Sequence, residues 1–124
     1  MTTTISAYFG ILTRRENGIL YFYKQDDLAI NENVAIDILT AIYELNGTTP
    51  VRIIVFQSSP TSYTFEGIEI LLGAENFAKS AIVCSTTIQR SVGHLIQNLA
   101  RAQKTEFDIG VFAFVEEAEA WIGV

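Results

Sequence analysis

Apolar and polar positions along this chain change period several times, and each change marks an element. From residue 5 to residue 15 the alternation is loose, with Tyr8, Phe9, Ile11 and Leu12 as apolar members. Glu16-Asn17-Gly18 follows, and Asn-Gly between two β-like runs is a strong hairpin signal. Residues 19–23 form the return strand, rich in aromatics, and residues 24–27 read as a polar break. Val34, Ala35, Ile38, Leu39, Ile42 and Leu45 then recur at helical spacing. Asn31 suits the N-cap of that helix, Glu32 its first turn, and Asn46-Gly47 its stop.

Arg52 is followed by Ile53, Ile54, Val55 and Phe56, a short run that suits a strand covered on both faces. It leads into a hydroxyl-rich loop of Ser58, Ser59, Pro60, Thr61, Ser62, Tyr63 and Thr64. A second helix is predicted over residues 65–72, with Ile68, Leu71 and Leu72 apolar, Thr64 as its cap and Gly73 as its end. Residues 76–80 read as a connection and residues 81–84 as a strand. Thr86 and Gln89 fit a capping box opening a third helix, whose predicted buried stripe is Ile88, Val92, Leu95, Ile96 and Leu99. Arg101 and Lys104 lie near its end, where cations suit the helix dipole. Residues 109–114 form the last strand, and a final helix packs Val115, Ala118, Trp121 and Ile122.

The element order is therefore β-β-α-β-α-β-α-β-α, an α/β fold in one domain over residues 1–124. It predicts a sheet of about five strands, an N-terminal hairpin followed by β-α-β repeats, packed with four helices. Three such repeats imply right-handed crossovers and a parallel core. Open α/β sheets bind at the carboxyl ends of their strands, which makes the loop after residue 57 the expected working surface.

Composition narrows the partners. A hydrophobic fraction of 49% and a charged fraction of 18% describe an ordered globule. Fourteen acidic residues against eight basic ones give a net charge of −6, a field that repels phosphate backbones and excludes nucleic acid. No apolar run reaches membrane-spanning length, and the first residues lack the pattern of a secretion signal. The single Cys84 reads as a small buried hydrophobe in a reducing compartment, so cytoplasmic localisation is expected.

Little reactive chemistry emerges. One His and one Cys give no metal-binding spacing, and neither a G-x-G-x-x-G nor a Gly-Lys-Ser/Thr string occurs, so no metal or cofactor is assigned. His94, the lone imidazole, falls within the third helix, and no Gly-x-Ser-x-Gly elbow supplies a nucleophile for it. Glu66 and Glu69 lie one helical turn apart and read as a solvated face. No catalytic residue is assigned. The aromatics could line an apolar pocket, although core packing accounts for them as well.

Three segments carry a family resemblance: Tyr63-Thr64-Phe65-Glu66-Gly67-Ile68 through Ile70-Leu71-Leu72-Gly73, then Ala81-Ile82-Val83-Cys84-Ser85, then Val111-Phe112-Ala113-Phe114 through Trp121-Ile122. Together they resemble the STAS domain of anti-sigma-factor antagonists, and the ending is similar to that of SpoIIAA-like bacterial proteins. That family typically has Asp-Ser-Ser-Gly-Leu at the second helix. Here Thr64 stands for the Asp, Phe65 or Glu66 for the phosphorylated Ser, and Gly67 is kept. The resemblance implies a non-enzymatic regulatory module without the usual phosphoserine switch. It would bind a protein partner through Ser58, Ser59, Thr61, Ser62, Thr64, Glu66 and Gly67, with Glu66 as a fixed negative charge. Related STAS-like folds resemble lipid-transfer domains, so the alternative is a small hydrophobic-ligand or lipid-binding protein, which predicts a cavity rather than a filled core. A homodimer through the aromatic hairpin is compatible with either.

Overall fold

The structure, a computed structural model, describes residues 3–57 and 61–123. Its strands are β1 (Thr4–Ala7), β2 (Gly10–Arg14), β3 (Leu20–Lys24), β4 (Ala29–Ile30), β5 (Val51–Gln57), β6 (Ser62–Tyr63), β7 (Phe77–Cys84) and β8 (Asp108–Phe112). Its helices are α1 (Glu32–Asn46), α2 (Phe65–Leu72), α3 (Thr87–Ala102) and α4 (Val115–Ile122). The α/β architecture expected from the sequence is present, with a six-stranded sheet in the order β1-β2-β3-β5-β7-β8. The first three strands form an antiparallel meander, and β3, β5, β7 and β8 run parallel. Among the described residues no helix is long and apolar enough to cross a membrane.

Strand register sorts the side chains. Leu20 and Phe22 align with Ile53 and Val55, which align with Ser80 and Ile82. This face packs under α1, α2 and α3, and Leu12, Leu20, Phe22, Ile53, Ile38 and Ile42 form its main cluster. On the opposite face Tyr21, Ile54 and Ala81 meet Ala118 and Ile122 of α4. With both faces covered, β5 reads as one apolar run. One row on the α4 side, Ile11, Tyr23, Phe56, Val83 and Phe112, crosses five strands in register.

Several local expectations change. Residues 5–15 fold as two strands, because Gly10 at φ +135° turns the chain after Tyr8-Phe9. A Cβ there would come within 2.2 Å of the Tyr23 carbonyl oxygen, so only glycine fits. That makes six strands in the main sheet rather than about five. The residues expected to connect α2 to the next strand are instead its first half, since β7 starts at Phe77. Residues 29–30 and 62–63 pair as a small parallel ladder, β4 with β6.

The buried stripe of α3 is also rotated from expectation. It buries Gln89, Gly93, Ile96 and Ala100, while Ile88 and Leu95 are 78% and 56% exposed. Only half the capping box forms. Thr86 Oγ1 accepts from the Gln89 backbone N–H at 3.2 Å, but the Gln89 carboxamide is buried and makes no return bond.

Candidate functional site

The parallel strands end in polar residues on an otherwise apolar face. Along β3, Leu20, Phe22 and Lys24 point the same way by strand alternation, and along β5 so do Ile53, Val55 and Gln57. Lys24 and Gln57 are therefore inward-facing polar groups at the carboxyl ends of neighbouring strands. They are only 6% and 5% exposed. The residue opposite Gln57 on β7 is the buried Cys84.

Tyr63 completes the group from above. The β4–β6 ladder and the bond from the Thr64 N–H to the Ile30 carbonyl hold residues 62–64 against the start of α1. Lys24 Nζ donates to Gln57 Oε1 at 2.7 Å and to Tyr63 Oη at 2.5 Å, and Tyr63 Oη donates to Gln57 Oε1 at 2.7 Å. The three atoms form a closed triangle. The amine also lies 4.7 Å from the Tyr63 ring centroid.

Burial sets the electrostatics. It lowers Lys24 to about 7 from an ordinary 10.5, opposed by the Cys84 sulfur. It raises the Tyr63 phenol and the Cys84 thiol, the latter opposed by Lys24 and Arg90. Near neutral pH Lys24 is thus balanced between ammonium and free amine, while Tyr63 and Cys84 stay protonated.

The triangle borders a cavity of about 90 Å³ between the sheet and the three helices above it. Its walls include Phe22, Val55 and Ile82 of the sheet, Ile42 of α1, Leu71 of α2 and Ile96 of α3. Lys24 and Gln57 also line a shallow surface groove with Tyr23, Phe56, Val83 and Ser85. They form the boundary between an apolar interior and solvent.

The residues singled out from the sequence are placed differently. Ser58 and Ser59 lie outside the described residues. Thr61 is half-buried and Ser62 exposed. Thr64 caps α2, its Oγ1 accepting from the Gly67 N–H at 3.0 Å. Glu66 is exposed in the first turn, beside Phe65 at 58% exposure. Gly67 is a packing residue, since a Cβ there would sit 2.4 Å from the Ile30 carbonyl oxygen. His94 is exposed on α3, and Glu66 and Glu69 both face solvent.

Lys24 and Gln57 were not among the candidates. Lys24 reads as the start of a polar break because Gln25, Asp26 and Asp27 follow it. The available signal was phase, as each is the next inward position after two apolar ones. Comparison of the chain with protein-family models, with curated proteins and with solved structures finds no match.

Proposed function

We propose that this chain is a non-enzymatic binding domain that holds a small apolar molecule by one polar head at the carboxyl end of its parallel strands. The observation that carries this reading is the Lys24–Gln57–Tyr63 triangle set against the apolar cavity. A buried amine is a poor structural element, because an apolar side chain of similar size is as stable or more so. Its position beside a cavity and a solvent groove supports a recognition role. Size narrows the ligand. A dry cavity of about 150 Å³ accepts benzene, so the 90 Å³ here suits about four heavy atoms rather than a lipid tail.

Titration of the protein with propan-1-ol, propionamide and propionate, followed in ¹H–¹⁵N spectra, tests this. Saturable shifts at the backbone amides of Lys24, Gln57, Tyr63 and Cys84 are expected with at least one probe. If all three leave those amides unmoved, the reading fails.

A second reading keeps the STAS-like interaction module, with residues 58–67 and α2 as the partner surface. The exposed Phe65 ring next to Glu66 favours it, since an accessible aromatic beside a charge is a common interface anchor. Glu66→Ala and Phe65→Ala should then weaken partner binding without changing the fold. Unchanged affinity in both variants would remove this surface from consideration.

A further inference from the structure

The Lys24 amine is distinguished by what it lacks as much as by what it touches. Nζ makes two hydrogen bonds, both to neutral acceptors, Gln57 Oε1 and Tyr63 Oη. Among the described residues no carboxylate contributes to its electrostatics. As an ammonium it would carry a third N–H with no further acceptor among the described residues, in a site only 6% exposed. As a free amine, the same two N–H bonds are kept and the remaining position is the lone pair. Burial favours the second state.

We propose that Lys24 is a carbonyl-capturing amine, its Nζ forming an imine with a small apolar aldehyde or ketone seated in the cavity below α1, α2 and α3. This rests on the ligand-binding reading above and names the ligand class. The nitrogen lone pair adds to the carbonyl carbon, and the carbonyl π pair moves to oxygen. One proton passes from nitrogen to that oxygen, giving a neutral carbinolamine. The C–O bond then breaks, the second nitrogen proton leaves with the oxygen as water, and a C=N bond remains. Tyr63 Oη, 2.5 Å from Nζ and held in its protonated form by burial, is placed to relay the proton by accepting one and giving up its own. No oxidant, reductant or metal is required. The apolar walls take the carbon skeleton, and Lys24 and Gln57 also border a solvent groove.

The test uses the whole protein with propanal and sodium cyanoborohydride at neutral pH, the hydride fixing any imine as a secondary amine. Intact mass and peptide mapping then locate the propyl group. Lys79 and Lys104, the other two lysines, serve as internal controls. Alkylation of Lys24 is expected at least about tenfold faster than of either, because burial gives it a far larger free-amine fraction at neutral pH than an ordinary lysine has. Its rate should level off just above pH 7. Tyr63→Phe should still label at Lys24 but at least about fivefold more slowly, as expected for loss of a proton relay. Labelling of Lys79 and Lys104 with Lys24 spared overturns the proposal. If the cavity amides shift with propan-1-ol in that case, the binding reading stands and only imine formation is lost. If no probe shifts them, both fall.

Discussion

Lys24 Nζ lies 2.7 Å from Gln57 Oε1, joining two inward-facing polar side chains at the carboxyl ends of adjacent parallel strands. Among the described residues neither is matched by a carboxylate. Both belong to rows that are apolar up to that point, so the pair marks where the core stops being only a core.

The first consequence is a pH dependence of stability. Lys24 has a folded value of about 7 against 10.5 when exposed, so between these values the unfolded chain binds more protons than the folded one. Stability therefore rises with pH across that window. Burial of Cys84 and Tyr63 favours their protonated forms in the folded state and erodes the gain above pH 9. Urea unfolding should show stability climbing by about 1 kcal/mol per pH unit from pH 7 to 9. In Lys24→Met the same range should be nearly flat. A wild-type protein that loses stability over it would falsify the depressed lysine.

Gln57 supplies the acceptor for two donors, so its loss should cost more than the loss of one hydrogen bond. Gln57→Leu is expected to destabilise by about 2–3 kcal/mol at pH 7, leaving Lys24 Nζ and Tyr63 Oη each short of a partner. Combining it with Lys24→Met should recover part of that, with a coupling energy of about 1–2 kcal/mol in a double-mutant cycle. Strict additivity would mean that the two side chains do not interact in solution.

Gly67 and Thr64 sit three residues apart at the start of α2 and should respond very differently. Thr64→Ala removes one cap bond and is expected to cost about 1 kcal/mol. Gly67→Ala drives a methyl against the Ile30 carbonyl and should cost about 2–4 kcal/mol, since backbone rather than a flexible side chain must yield. Chemical denaturation of the two variants compares them directly. Equal costs would mean that α2 does not approach β4 so closely.

On α3 the packing face can be checked by contrast. Ile88→Ser, at a largely exposed position, should change stability by less than about 0.5 kcal/mol, whereas Ile96→Ala should cost about 2–4 kcal/mol. A large effect at Ile88 would show that its side of the helix is covered in solution.

Tyr21 offers a test of how α4 is attached. Its hydroxyl donates to Glu119 Oε2 at 2.5 Å, and the Arg15 guanidinium carbon lies 3.6 Å from its ring centroid. Tyr21→Phe should cost about 1–2 kcal/mol through loss of a charge-assisted bond. Selective faster exchange of α4 amides in that variant would place the effect at this contact.

Much of the architecture was legible because it depends on neighbours in sequence. Asn31 and Thr64 cap their helices, Asn17-Gly18 turns the hairpin, and the α1 stripe buries Ala35, Ile38 and Ile42, all from short-range patterns. The exceptions have physical causes. Tyr8-Phe9 carries no turn residue, so the first hairpin depends on the close fit of Gly10 against β3. Ile88 and Leu95 match helical spacing, but which side of α3 meets the sheet is set by Gly93, where the helix lies within van der Waals reach of Cys84 and Val111. Phase along β3 and β5 could have placed Lys24 and Gln57 on the inner face. Their meeting with Tyr63 could not be read, because it requires the β3–β5 register and a two-residue ladder linking segments more than thirty positions apart. The sequence by itself determined the elements and the polarity of their faces. Only tertiary structure decided that three of those polar groups share one buried point beside a cavity, because long-range pairing rather than local propensity brings them together.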